Sequence, residues 1–159
     1  MISTEKALQT ILDSAQDFGV EEIPFIQSVG RILKENIVAD RDFPPFNRVS
    51  MDGIAIDYKE VSCRLRSNGH LRFKIEGVQA AGSTQVSLQN SENCIEVMTG
   101  AVLPKNTNAV IRYEDVLIEK GIAAITIDSI NENQNIHQKG KDGKVGDLLI
   151  EENTIISAA

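Results

Sequence analysis

The stretch at residues 44–55 reads PPFNRVSMDGIA, and it gives the strongest indication of how this chain folds and what it binds. Its two prolines fix the backbone φ angle and remove two backbone donors, so the segment is stiff. Asp52 stands directly before Gly53, a residue that is free to take a positive φ angle on a sharp turn. We therefore expect the Asp52 side chain to face a ligand, although an Asp-Gly turn can also cap only its own backbone.

A second segment, at residues 94–104, reads CIEVMTGAVLP. Its first five residues suggest a strand, and Thr99 and Gly100 follow at the end of that strand, in a loop that Pro104 stiffens. A hydroxyl group beside backbone amides is a good contact for an oxyanion. We expect this loop to touch an anion; the alternative is a simple turn at the end of a strand.

Composition limits the class of protein. The 159 residues carry a formal net charge of −7, and their Lys and Arg residues are scattered, so a general nucleic-acid or anionic-membrane surface is not expected. Cys63 and Cys94 lack a metal-type spacing, and the sequence has no secretory signal or long apolar span. We expect a cytoplasmic protein that neither binds nucleic acid nor enters a membrane.

Hydrophobic periodicity predicts a helix first and strands later. Ser3 is a plausible N-cap, and apolar residues recur at helical spacing up to Phe18, where Gly19 ends the pattern. From residue 71 onward the period is two, with a hairpin turn at residues 119–121. The predicted strands cover residues 72–78, 94–98, 109–117 and 122–130. This spacing favours a small antiparallel barrel or sandwich.

The two opening segments resemble the N-terminal region of the molybdopterin molybdenumtransferases, the MoeA-type enzymes. Further segments agree in order along the whole chain, at residues 28–33, 81–82, 108–115, 135–136 and 140–149. The resemblance implies an α+β fold: an elongated α+β domain built from residues 1–48 and 136–159, with a small antiparallel β-barrel-like domain inserted at 49–135. The family's pterin-binding α/β domain and C-terminal β domain are absent, so we expect an N-terminal fragment.

The resemblance also implies a reaction, in which molybdate is inserted into adenylylated molybdopterin and AMP is released. Asp52 and Thr99 are then the expected catalytic residues. Asp52 would either hold a Mg²⁺ that bridges the pyrophosphate or orient a proton or water, and the residues leave both roles open. The expected substrate-binding residues are Ser50, Met51, Gly53, Gly100 and Ala101.

The family's partners follow from the same resemblance: a homodimer of the full-length protein, and an upstream molybdopterin adenylyltransferase. The fragment alone is expected to be inactive. Asn47, Arg48 and Val49 replace the usual Asp-Asn-Ser of the family. This altered loop supports an alternative, in which the chain is a non-catalytic dimerisation or docking module.

Two further groups are expected to be structural. Glu114 and Asp115 lie at the end of a predicted strand, where paired acids more often form a solvated rim than a catalytic pair. Residues 140–144 read GKDGK, which lacks the ending of a nucleotide-binding loop and favours a flexible basic loop, although Asp142 matches an aspartate of the family.

Overall fold

The computed structural model describes residues 2–66 and 71–158. The chain divides into two compact units, Met1–Ile37 with Leu148–Ala159 and Val38–Asp147, which are described separately below. The division drawn from the sequence, residues 1–48 with 136–159 around an insertion at 49–135, stays a prediction.

In the first unit, helix α1 covers Thr4–Asp13, and the Ser3 hydroxyl caps it by accepting a 3.3 Å hydrogen bond from the Lys6 amide. The helix ends earlier than the expected Phe18. The Ser14 hydroxyl donates to the Thr10 carbonyl at 2.7 Å, a local bond that competes with helix continuation. None of the α1 side chains is buried, so no packing contact extends the helix past its capped end.

The closing segment of the chain pairs with the N-terminal segment. The Gly30 amide donates to the Ile156 carbonyl at 2.8 Å, and the Leu33 amide donates to the Thr154 carbonyl at 2.9 Å. Strand β10 (Leu148–Ile150) belongs to this unit, and strand β1 (Ile37–Val38) lies at the point where the chain leaves it.

In the second unit, six strands form one sheet in the order β6-β3-β5-β4-β8-β7. A separate antiparallel pair joins β2 (Arg48–Val49) to β9 (Ile136–His137). The strands of the sheet are β3 (Gly53–Ile56), β4 (Arg72–Gln79), β5 (Cys94–Val97), β6 (Ala109–Arg112), β7 (Val116–Glu119) and β8 (Ile122–Ile125).

The fold is mixed α+β, but the expected purely antiparallel sheet is wrong at one pair. Strands β4 and β5 run parallel, because the long loop after Gln79 returns the chain to the start of β5 in the same direction. The other four neighbouring pairs are antiparallel. The barrel-like form of an inserted domain stays a prediction.

Strand β3 was not expected, and it decides where the site lies. All four of its residues are buried. Ile54 and Ile56 pack in one apolar cluster, while Ala55 packs in another, so both faces of the strand are covered. A strand buried on both faces reads as a continuous apolar run without alternation, which is why periodicity does not reveal it. Helix α2 (Tyr58–Arg66) follows it and was also not expected.

The long strand expected at residues 109–117 is broken in two. Between β6 and β7 the chain forms a short 3-10 helix, Tyr113–Asp115. Arg112 and Asp115 close this turn with a 2.7 Å ion pair, and the Tyr113 amide turns away to donate to the Asp52 carbonyl at 3.1 Å. The hairpin turn before β8 is confirmed, with positive φ angles of 50° at Lys120 and 77° at Gly121.

Candidate functional site

Asp52 lies in the short turn between β2 and β3, where two other strands end. Its carboxylate accepts a 2.6 Å hydrogen bond from the Thr99 amide just after β5, and its carbonyl accepts the bond from the Tyr113 amide just after β6. The amide of Thr99, followed by its hydroxyl, lowers the pKa of Asp52 below the usual 3.8. The exposed carboxylate is therefore ionised at neutral pH and held in one place.

The Thr99 loop uses its backbone amides internally. The Thr99 amide binds Asp52, the Gly100 amide donates to the Val49 carbonyl at 2.9 Å, and the Ala101 amide donates to the Met98 carbonyl at 3.0 Å. These three amides already have partners within the chain. The side chain of Thr99 is exposed, so it is the part of this loop that is open to solvent beside Asp52.

The expected substrate-binding residues divide into exposed and buried ones. Ser50 and Met51 are exposed beside Asp52, and the Met51 side chain is 46% accessible. Ala101 is fully buried in an apolar cluster with Val49. The structure thus gathers Ser50, Met51, Asp52 and Thr99 on the surface, and places Ala101 beneath them.

Gly53 has a positive φ angle of 159°, in line with the conformational freedom that the sequence suggested, and the structure adds a second reason for a glycine here. A Cβ atom at this position would lie 1.9 Å from the carbonyl oxygen of Ile111 on the neighbouring strand β6. The close approach of two strands, together with the positive φ angle, accounts for this glycine.

Glu96 and Tyr113 are part of the same group, and sequence reasoning missed both. Glu96 lies on β5, and its carboxylate accepts a hydrogen bond from the Tyr113 hydroxyl. Burial, this hydrogen bond, and the negative charges of Glu96 and Asp52 together raise the pKa of Tyr113. Tyr113 is therefore a protonated donor at neutral pH. No sequence signal joins the two residues, because the pairing depends on strands brought together by β3.

The loop at residues 138–147 is held in place, unlike the flexible loop that its composition suggested. The Asp142 amide donates to the Phe43 carbonyl at 2.8 Å, and the Val145 amide donates to the Asp42 carboxylate at 3.0 Å. The imidazole of His137 contacts the Asp142 carboxylate at 2.8 Å. Asp142 therefore has a defined position in the second unit.

The altered positions before Ser50 have structural partners. The Asn47 side-chain oxygen accepts a 2.9 Å hydrogen bond from the Lys139 amide. Val49 is fully buried, and Arg48 and Val49 pair with β9. These residues attach the start of the site segment to the strand that precedes the 138–147 loop.

Across residues 2–66 and 71–158, no three or more His, Cys, Asp or Glu side chains are grouped so that they could hold a metal ion. Within the same ranges, none of the helices combines the length and the apolar character needed to span a bilayer. The Asp115 carboxylate is paired with Arg112, as described above, and Glu114 is exposed, as expected for a solvated rim.

Known proteins resemble this chain over almost its whole length. A molybdopterin molybdenumtransferase from a Synechocystis species is 38% identical over 152 residues, which are 95% of this chain and 38% of that protein. A protein of the same name from Staphylococcus aureus is 28% identical over 156 residues, covering 98% and 37%. The chain thus spans less than two fifths of the length of these relatives.

Solved structures agree with these relatives. A crystal structure titled as the molybdopterin biosynthesis moeA protein of Pyrococcus horikoshii OT3 has a TM-score of 0.85 and 30% identity, over 97% of this chain and 40% of that one. A second structure of a MoeA protein from the same species has a TM-score of 0.81 and 29% identity. The family model of the MoeA N-terminal region, described as domains I and II, matches residues 2–159. The resemblance stated from the motifs is therefore confirmed, and the chain belongs to the MoeA N-terminal region family.

Proposed function

We propose that this chain is the N-terminal part of a cytoplasmic molybdopterin molybdenumtransferase, which inserts molybdate into adenylylated molybdopterin and releases AMP. The family match and the names of the relatives support this assignment. The observation that carries it is the Asp52 carboxylate, which is ionised, exposed and fixed by the Thr99 amide. Such a group is ready to act on a substrate without first being ordered.

Asp52 is the proposed catalytic carboxylate. Mg²⁺ is usually bound through one or two carboxylates together with substrate phosphates, and a single exposed carboxylate fits that kind of site better than a closed protein cage. When bound, the ion would neutralise charge on the pyrophosphate that is cleaved. Asp52 would hold the ion or orient a proton or water, and the Thr99 hydroxyl would contact an oxyanion beside it.

The remaining site residues divide by exposure. Ser50 and Met51 contact the substrate from the surface of the β2–β3 turn. Gly53, Gly100 and Ala101 set the shape of the two loops, through the close strand approach and the internal amide bonds described above. Their contribution to substrate binding is indirect.

The rest of the enzyme is proposed to come from outside this chain. We propose that the complete protein is a homodimer, that its pterin site lies mainly on domains beyond these residues, and that an upstream molybdopterin adenylyltransferase supplies the substrate. The chain alone is then inactive. Cofactor formation by the isolated chain would contradict this part of the proposal.

The test is a molybdenum-insertion assay on the complete protein. Asp52→Ala should lower the rate by about a hundredfold or more, as removal of a positioned acid or base typically does. Asp128→Ala is the matched control, because Asp128 is an exposed acid outside the site. Equal folding and equal dimer content must be shown for both variants. Undiminished insertion by Asp52→Ala would remove Asp52 from the mechanism.

A second candidate function has its own support. The amides of Thr99, Gly100 and Ala101, and the side chain of Asn47, are all used within the chain. This is also the arrangement of a non-catalytic dimerisation or docking module that kept the fold. Such a module would leave the wild-type complete protein inactive in the insertion assay while its dimer remained intact.

A further inference from the structure

Two polar side chains beside Asp52 have no part in the proposed reaction. The Tyr113 hydroxyl donates to the Glu96 carboxylate, and both side chains are only partly exposed. Exposed polar side chains usually bind water, whereas these two are partly withdrawn from solvent and hydrogen-bonded to each other. Their position relative to Asp52 indicates what this hydrogen bond does.

The pair links two strands that do not touch each other. In the sheet, β3 lies between β6 and β5. Gly53, the first residue of β3, is paired with Arg112 of β6 on one side and with Val97 of β5 on the other. Tyr113 follows β6 directly and Glu96 belongs to β5, so their hydrogen bond crosses the start of β3, next to Asp52.

Three hydrogen bonds and a short stretch of chain therefore form a closed ring that includes Asp52. The Tyr113 amide holds the Asp52 carbonyl at 3.1 Å, and the Tyr113 hydroxyl holds Glu96. The chain runs from Glu96 to Thr99, and the Thr99 amide holds the Asp52 carboxylate at 2.6 Å. One residue, Tyr113, thus contacts Asp52 through its backbone and reaches the strand that carries Thr99 through its side chain.

We propose that Tyr113 and Glu96 are positioning residues for Asp52: their hydrogen bond fixes the ends of β5 and β6 relative to each other, and thereby keeps the Thr99 amide on the Asp52 carboxylate. The expected effect on the insertion rate rests on the proposed function, whereas the expected effect on the Asp52–Thr99 contact does not.

The first experiment measures the pKa of the Asp52 carboxyl by NMR titration of the chain. Tyr113→Phe should raise this pKa towards 3.8, because the Thr99 amide would no longer be held on the carboxylate. Tyr58→Phe is the matched control, since it alters the other tyrosine of the chain. Urea unfolding would verify that each variant is folded.

Variants of Glu96 give a sharper test, because the loss of its charge and the loss of its hydrogen bond shift the pKa of Asp52 in opposite directions. Removing a nearby negative charge lowers the pKa of a carboxyl group, whereas losing the Thr99 contact raises it. The proposal expects Glu96→Ala to raise the pKa of Asp52. It expects Glu96→Gln, which keeps an oxygen acceptor for Tyr113, to leave the pKa low. An unchanged pKa in Tyr113→Phe, or a lowered one in Glu96→Ala, would overturn the proposal.

The second experiment measures insertion kinetics on the complete protein. Tyr113→Phe should lower kcat about tenfold to a hundredfold with little change in KM, because a misplaced catalytic group slows the chemical step more than it weakens binding. Glu96→Gln should keep most of the activity. If the NMR results hold while the wild-type protein is inactive, the positioning role stands and the proposed function fails. If the pKa of Asp52 does not respond as expected while the wild-type protein is active, the positioning role fails and the proposed function stands.

Discussion

The Asp52 carboxylate accepts a 2.6 Å hydrogen bond from the Thr99 amide, across 47 positions of sequence. This bond joins the two segments that the sequence singled out separately. An Asp-Gly turn can be held by its own backbone alone, but here the carboxylate is bound by an amide from another strand end. The turn and the loop are therefore in direct contact, so the effects on stability of substitutions in the two segments should not be additive.

Gly53→Ala should destabilise the second unit strongly. Its Cβ atom would lie 1.9 Å from the Ile111 carbonyl oxygen, a backbone atom that cannot move without shifting strand β6. We expect a loss of about 3 kcal/mol in the free energy of unfolding, measured by urea denaturation. Gly77→Ala is the matched control, because a Cβ atom at Gly77 of β4 meets nothing within 4 Å. Equal stability of the two variants would show that the strands can separate freely.

Gln79 should be important for stability because it is polar and completely buried. Its amide nitrogen donates to the Ser83 hydroxyl at 2.8 Å, and its oxygen accepts from the Val86 amide at 2.7 Å, so it anchors the loop after β4. Gln79→Ala removes the acceptor of the Val86 amide and the contacts that fix the loop, and should cost about 1–3 kcal/mol in a urea titration. Gln89→Ala changes an exposed glutamine and should cost less than about 0.5 kcal/mol.

Acid should weaken the protein partly through Glu76. The amide of Gln89, the Asn93 side chain and the Asn90 amide bind this carboxylate, and the Gln89 bond has the largest effect in lowering its pKa below the usual 4.5. A lowered folded-state pKa contributes stability above the unfolded value and loses it as the pH falls through the folded value.

The corresponding variant is Glu76→Gln. It should be less stable than the wild type at neutral pH, and the difference should narrow as the pH is lowered below 4.5. Thermal unfolding of both proteins at a series of pH values measures this difference in stability. Glu92→Gln, at an exposed acid nearby, is the control and should show no such convergence. A difference that is constant with pH would exclude a role for the Glu76 charge.

The two cysteines should differ in reactivity. Cys94 is fully buried, and burial, with smaller contributions from the charges of Glu96 and Glu76, raises the pKa of its thiol to about 12. Cys63 is exposed. Because the thiolate is the reactive form, a disulfide reagent at about pH 8 should modify Cys63 first in the native protein. Cys63→Ser should abolish the rapid phase; rapid reaction of that variant would show that Cys94 is accessible.

Short-range patterns were sufficient for much of the fold. The Ser3 cap, the hairpin at Lys120 and Gly121, and strands β4 and β5 follow from capping preference, turn chemistry and alternation, which act between residues close in sequence. The motifs at residues 44–55 and 94–104 were enough to indicate the family. Asp52 and Thr99 were also identified from these motifs, although their contact was not.

Long-range contacts decided the rest. Strand β3 is buried on both faces, so it shows no period; the β4–β5 pair is parallel because of the loop between them. The strand expected at residues 109–117 is interrupted after Arg112, where the Tyr113 amide donates to the Asp52 carbonyl. The Tyr113 hydroxyl donates to Glu96 across β3. The sequence by itself determined the family, the local turns and the two candidate residues. Only the tertiary structure decided what holds them, because hydrogen bonds between distant residues form only after the strands that carry them have been brought together.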